Sequence, residues 1–164
     1  MANIVSKNTL DEINAQYGKL PPQAIEEEEA VLAALMLERD AIITNPVKIN
    51  WFYKSEHQKI LEGILDLHNK RIPIDMLIVT RWLKDHNALD EIGGATRIAE
   101  IIRRVASAAH IEHHIRIIYQ KFLQREVIRI SLEAQIKAYD DSLDVDDLME
   151  FLQKEILPLI SSGT

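Results

Sequence analysis

The chain has 164 residues, with 26 acidic against 19 basic side chains for a formal charge of −7, 47% hydrophobic residues, five Gly, five Pro and no Cys. That length holds one domain, or a domain with a small appendage, and is enough to bury a core. Zero Cys excludes a disulfide framework, a thiolate metal site and a Cys nucleophile. No apolar run approaches the ~20 residues of a membrane span, and the first residues lack the charged start and apolar core of a signal peptide, so the expected location is cytoplasmic.

Residues 1–19 mix polar residues with isolated Ile, Val and Leu, which predicts a mobile N-terminal arm with a short helical turn around Asp11 to Gln16. Pro21-Pro22 punctuates the start of the folded part. From Ala24 to Leu37 the spacing of Ile25, Leu32, Leu35 and Met36 predicts a helix with one apolar face, and Glu26 to Glu29 place acid in its first turns, where the helix dipole favours it. Asn45-Pro46 breaks the segment Asp40 to Asn50 into a turn of helix and a loop. Trp51-Phe52-Tyr53 is the aromatic cluster of the chain; it is either a hydrophobic plug under the next helix or a surface on which bases or a peptide stack.

Ser55 with Gln58 has the form of a capping box, and Ile60, Leu61, Ile64, Leu65 and His68 make the apolar face behind it. Arg71-Ile72-Pro73 stops that helix. Asp75 caps another, running through Val79, Trp82 and Leu83 to about His86. Leu89 to Gly94 is a turn whose paired glycines allow positive φ. Ile98, Ile101, Ile102 and Val105 carry a fifth short helix, and Ser107 lies at the junction beyond it.

His110 to Tyr139 has neither Gly nor Pro and predicts one long helix. At ~100° per residue its apolar residues form two stripes. Ile111, Ile115, Ile118, Phe122, Leu132 and Ile136 lie on one; Tyr119, Leu123, Val127, Ile130, Ala134 and Ala138 lie on the other. Asp140 to Leu143 is too short and polar for anything but a turn. Val145, Leu148, Met149, Leu152, Ile156 and Leu159 then recur at helical spacing, with Asp144 and Asp147 at the start and Pro158 ending the run. The short connection makes these two helices antiparallel neighbours. That hairpin covers one stripe, so the other needs the rest of the chain or a second copy. The candidate interface residues are Ile111, Ile115, Ile118, Tyr119, Phe122, Leu123, Val127 and Ile130, with the choice of face left open.

With Gly only at 18, 63, 93, 94 and 163, neither a Walker A loop nor a G-x-G-x-x-G turn can be assembled. His110, His113 and His114, with Glu112, bring imidazoles to helical spacing but match neither H-E-x-x-H nor H-x-x-E-H, and all three histidines fall off both apolar stripes. Arg97, Arg103, Arg104, Arg116, Arg125 and Arg129 offer a local basic patch; its two readings are a nucleic-acid contact and an ordinary solvated face.

Taken in order, Pro21-Pro22 before Glu26 to Glu29 and Val31-Leu32, Phe52-Tyr53 with His57 and Ile60, Pro73-Ile74-Asp75 with Thr80 and Leu83, Gly93-Gly94, and Arg125-Glu126-Val127-Ile128 resemble the amino-terminal domain of DnaB-type bacterial replicative helicases. The resemblance runs from about Leu20 to Ile160; Ala33, Arg97-Ile98 and His113-His114 depart from the usual pattern. It implies an all-α fold with a mobile arm (1–19), a compact head of short helices (20–106), a long-helix antiparallel hairpin (107–160) and, at 161–164, the start of a linker to an ATPase domain. It further implies a collar that dimerises through the hairpins, builds a hexameric ring and contributes to recruiting a DnaG-type primase, with a helicase loader as a further partner. No catalytic, cofactor or metal residues are implied here; ATP and Mg belong to the carboxy-terminal domain of the parent enzyme. The alternative is a free-standing helical regulator or small metal-dependent enzyme using His110, His113 and His114.

Overall fold

The computed structural model describes Ala15, Gly18, residues 20–104 and residues 109–162. The rest of the expected arm, Val105 and Ser107 lie outside the described residues. Every regular element described is helical: α1 Ile25–Leu37, α2 Ala41–Thr44, a 3-10 turn Ile49–Trp51, α3 Ser55–Asn69, α4 Met76–Asp85, α5 Gly94–Arg104, α6 Ile111–Ala138 and α7 Val145–Ser162. They fall into two compact units, residues 23–122 and residues 123–164 with 1–22. The division passes through α6, between Phe122 and Leu123.

The first unit, the head, is built around α1, which packs chiefly on α5 and α3. The spacing predicts one apolar face for α1. The helix is instead enclosed on all sides from Val31 to Met36, as a helix apolar all round must be. Around it lie Phe52, Ile60, Leu61, Ile64, Val79, Leu83, Ile92, Ile98, Ile101 and Ile118, each almost wholly buried. Gly63 lets α3 and α4 approach: a Cβ there would sit 2.7 Å from Cε3 of Trp82.

Asp75 caps α4 as expected, its Oδ1 accepting from the Ile78 N–H at 2.8 Å. The expected capping box does not form. Ser55 is the first helical residue of α3, and the Gln58 amide turns outward to donate to the Phe52 carbonyl at 2.7 Å. A carboxylate from another helix takes the place of the cap: Glu28 of α1 accepts from the Tyr53 N–H at 2.5 Å and, longer, from the Lys54 N–H at 3.4 Å.

Three reversals in the head share one backbone device. After α3, Arg71 N–H donates to the His68 carbonyl and Ile72 N–H to that of Leu67, both at 2.9 Å. After α4, Asn87 N–H donates to Lys84 and Ala88 N–H to Leu83; before α5, Gly93 N–H donates to Asp90 and Gly94 N–H to Leu89. This paired 5→2 and 6→1 closure sets the hinge residue left-handed, and φ is +57° at Arg71, +55° at Asn87 and +99° at Gly93. Glycine takes that conformation freely and asparagine tolerates it, whereas a long side chain such as Arg71 carries a cost of about 1–2 kcal/mol.

In the second unit, the end of α6 and α7 run side by side in opposite senses. Lys137 lies over the Phe151 ring at 5.0 Å, and Arg129 reaches Glu155 at 2.7 Å. The turn is closed by Asp140, whose side chain accepts from both the hydroxyl and the N–H of Ser142; these bonds hold its carboxyl below the usual value. Asp144 starts α7 by accepting from the Asp146 N–H at 2.8 Å. Pro158 does not end the helix, which continues to Ser162. The proline removes one hydrogen bond, to the carbonyl of exposed Lys154, close enough to the end for the last turn to persist.

Candidate assembly face on the helical hairpin

Two helix faces were candidates for an interface, and the helix divides them by position. On its first half, Ile111 and Ile118 are part of the head's core, Ile115 packs against it, and Tyr119 tilts its ring on Trp51 with centroids 4.8 Å apart. Phe122, half-buried, adjoins Tyr119 at 6.0 Å between ring centres. Ile111, Ile115 and Ile118 thus serve the head's own core, while Tyr119 and Phe122 stay half-buried beside it. The aromatic cluster takes the plug role: Phe52 is buried, and Trp51 is covered by Tyr119.

On its second half, Leu123, Val127, Ile130 and Ser131 face Ile156, Leu159 and Ile160 of α7 across an open groove of about 290 Å³. Ile130 is buried at its floor, but Val127 is 57% exposed and Ile160 64%. On α7 the outer flank carries Val145 (66% exposed) and Met149 (59%), the first residue of the helix and the one a turn later, at positions that continue the line of Ile156 and Ile160. The result is an apolar strip along the hairpin that no other described residue of the second unit covers, wider than isolated exposed side chains require.

Beside the strip, the two helices are fastened by charge. Arg129 donates to Glu126 at 3.0 Å, Glu133 at 3.1 Å and Glu155 at 2.7 Å. Burial by itself would lower its affinity for the proton. The hydrogen bonds and negative charges of Glu126 and Glu155 outweigh that and raise it. Glu133 is buried against this guanidinium. The node fixes how α7 lies along α6 and thereby the alignment of the strip.

Five of the six arginines of the expected basic patch have a carboxylate or carbonyl partner, and Arg103 is exposed. Arg97 and Arg104 both bond Glu29, Arg125 donates to the Pro22 carbonyl at 2.8 Å, Arg129 is spent on its three carboxylates and Arg116 faces Glu112 at 3.8 Å. Of the histidines, His110 and His113 are exposed; His114 is half-buried rather than off the apolar faces, with its Nδ1 enclosed. Among the described residues no three His, Asp or Glu side chains gather to hold a metal ion.

Sequence reasoning missed a buried polar cluster in the head. His57 is fully enclosed, its Nδ1 2.7 Å from Glu28 and its Nε2 3.8 Å from Glu29. Burial would raise the Glu29 carboxyl. The hydrogen bond and charge of Arg97, then Arg104 and His57, more than offset this and hold it below the ordinary value of 4.5. A signal was present: four successive glutamates sweep about 300° of a helix, so they cannot all face water on a helix that is otherwise apolar.

The described residues thus form helices alone, and the hairpin of the second unit carries an exposed apolar strip. The profile of the family described as "DnaB-like helicase N terminal domain" matches residues 20–120. The chain is 36% identical over 152 residues to the replicative DNA helicase DnaB of Rhodothermus marinus and 35% identical over 141 residues to the replicative DNA helicase DnaC of Bacillus subtilis. The matches cover 90% and 85% of this chain but only 16% and 31% of those proteins. Its fold is similar to the crystal structure of the N-terminal domain of DnaB helicase from Mycobacterium tuberculosis, with a TM-score of 0.77, 29% identity, and 84% of this chain and 98% of that one aligned. The chain belongs to the DnaB-like helicase N-terminal domain family. Among the described residues no helix is long and apolar enough to cross a membrane.

Proposed function

We propose that this chain is the assembly collar of a replicative DNA helicase, pairing with a second copy through the hairpin strip and contributing in that way to a hexameric ring. The observation that carries it is the strip of Leu123, Val127, Ile156, Ile160, Met149 and Val145, which a two-fold axis would bury against itself. In this reading the unwinding of DNA, with ATP and Mg, belongs to a carboxy-terminal motor of the parent protein. The relatives named above are replicative helicases of which this chain spans a third or less.

Recruitment of a DnaG-type primase is part of the same proposal, with a helicase loader as a further partner. A second solved structure of similar fold is that of a DnaB-like replicative helicase and its interactions with primase, with a TM-score of 0.70, 20% identity, and 80% of this chain and 31% of that one aligned. At that identity the likeness supports the fold, and the primase is carried over on family membership alone.

The test is molar mass in solution. The wild-type chain is expected to be at least dimeric at high concentration, and Leu123→Glu with Val127→Glu to give a monomer with unchanged helix content. A wild type that stays monomeric, or a double variant of unchanged mass, overturns the self-association reading. The charge of −7 and the paired arginines predict that single-stranded DNA binding by this chain is weak and vanishes at physiological salt.

A further inference from the structure

The hairpin accounts for one exposed apolar face; a second lies on the head and has a different character. Helix α4 buries Val79, Trp82 and Leu83 and turns Leu77, Arg81 and Lys84 outward, at i, i+4 and i+7 on one stripe. Leu77 is 71% exposed, and Met76 beside it and Ile72 just upstream are exposed too. Arg71, immediately before Ile72, is exposed at the left-handed hinge of the turn after α3. Among the described residues no ion pair engages Arg71, Arg81 or Lys84, in contrast to Arg97, Arg104 and Arg129. The nearest acids are otherwise placed: Asp66 accepts from Lys70 and Trp82, and Asp75 caps α4. Asp85, at the last turn, is exposed.

The three like-built turns of the head supply a comparison inside the molecule. Asparagine and glycine occupy the left-handed position in two of them, whereas the third places a long cation there, where backbone preference argues against one. A conformational cost accepted at an exposed residue marks a side chain with a use outside the fold. Four residues separate Arg71 from Met76, so cations and apolar residues together fit within the ~16 Å that three turns of helix cover.

We infer that the outer face of α4, with the Arg71-Ile72 turn, is a docking surface for an acidic amphipathic helix of a partner protein, whose carboxylates meet Arg71, Arg81 and Lys84 and whose apolar side seats on Ile72, Met76 and Leu77. Charge complementarity sets the sign of the occupant: these cations stand unpaired in a chain of charge −7. The apolar residues decide against a nucleic acid, since a phosphodiester backbone offers nothing to cover a leucine and three cations give only shallow phosphate affinity.

The experiment titrates the full chain into a fluorescein-labelled synthetic helix carrying leucines on one face and glutamates on the other. A peptide of the same composition in scrambled order and a labelled oligo-dT run beside it. The ordered peptide is expected to bind in the micromolar range and to lose roughly tenfold with Arg81→Glu or Leu77→Ser. Arg71→Gly is the separating variant: it should raise the melting temperature by relieving the left-handed backbone, and weaken the peptide. A more stable Arg71→Gly with undiminished binding makes Arg71 a matter of folding alone and overturns the inference. So do equal binding of ordered and scrambled peptides, absence of binding, indifference to Arg81→Glu, or tighter binding of the oligonucleotide. Molar mass is measured throughout; these variants leave it unchanged whether or not the hairpin reading stands, and a change assigns the face to a second copy instead.

Discussion

The head and the hairpin solve the problem of the buried helix in opposite ways. In the head, α1 is surrounded and even its glutamates Glu28 and Glu29 are enclosed, each with a cationic or N–H partner from another part of the head. In the hairpin, two helices share one seam, fastened at Arg129, and leave the flank beside it in water. A single helix, α6, belongs to both: Ile118 is 1% exposed and Val127, about two and a half turns on, is 57% exposed. Branched apolar residues at helical spacing are core in one place and surface in the other, and the difference lies in the number of neighbouring layers, which no local pattern encodes.

The largest effect expected from this contrast comes from charging the two halves of α6 separately. Ile115→Glu with Ile118→Glu puts carboxylates into the core of the head with no cation to meet them and should cost more than about 4 kcal/mol, enough to leave the head unfolded. Circular dichroism and thermal melting read it directly. A cooperative melt near that of wild type would mean the first half of α6 does not belong to the head.

The next largest should come from Glu28. Its removal as Glu28→Ala strips the acceptor from Tyr53 N–H and leaves Nδ1 of His57 enclosed without its partner, at a cost of about 3 kcal/mol. Glu28→Gln keeps an acceptor for the backbone and should lose clearly less. Equal melting temperatures for the two variants would show that the carboxylate charge, and not the capping, is what matters. No such buried carboxylate cap exists among the described residues of the hairpin, where Asp144 caps α7 from an exposed position.

Acid sharpens the contrast further. The Glu29 carboxyl is held below its ordinary value of 4.5, against the opposing effect of burial, chiefly by Arg97. A depressed carboxyl stabilises the fold fully above its unfolded value, and that contribution drains away as the pH falls through the lower, folded value. The melting temperature should therefore decline on acidification below about 4.5, and Glu29→Gln, less stable at neutral pH, should flatten that part of the profile. Parallel profiles for the two proteins would remove Glu29 as a source of acid sensitivity.

How much of this was legible in the sequence varies with the range of the interaction. Helix positions, the Asp75 cap, the positive φ at Gly93 and the hairpin followed from local spacing and turn chemistry, and the family resemblance followed from short motifs in order. The interface residues divided where the head ends, because a stripe of Ile and Leu reads the same whether another layer lies on it or not. The Glu28, Glu29, His57 and Arg97 cluster joins residues 29 and 68 positions apart, and periodicity has no access to such pairings. Pro158 misled for another reason: a proline near a helix end forfeits one bond to a carbonyl that water can reach.

The smallest predicted effect tests the one local motif that failed. Ser55 followed by Gln58 has the pattern of a capping box, yet Ser55 lies one residue inside α3, and Glu28 holds the N–H groups of Tyr53 and Lys54 at its entrance. Ser55→Ala should then change stability by less than about 0.5 kcal/mol, the ordinary range for an exposed site away from special features. Asp75→Ala, which removes a bonded cap from α4, should cost about 1 kcal/mol. The pair share solvent exposure and a position at a helix entrance, so the difference between them isolates the cap itself. If Ser55→Ala costs as much as Asp75→Ala, the serine hydroxyl does cap α3 in solution, and the carboxylate of Glu28 is bound to His57 rather than to the start of the helix.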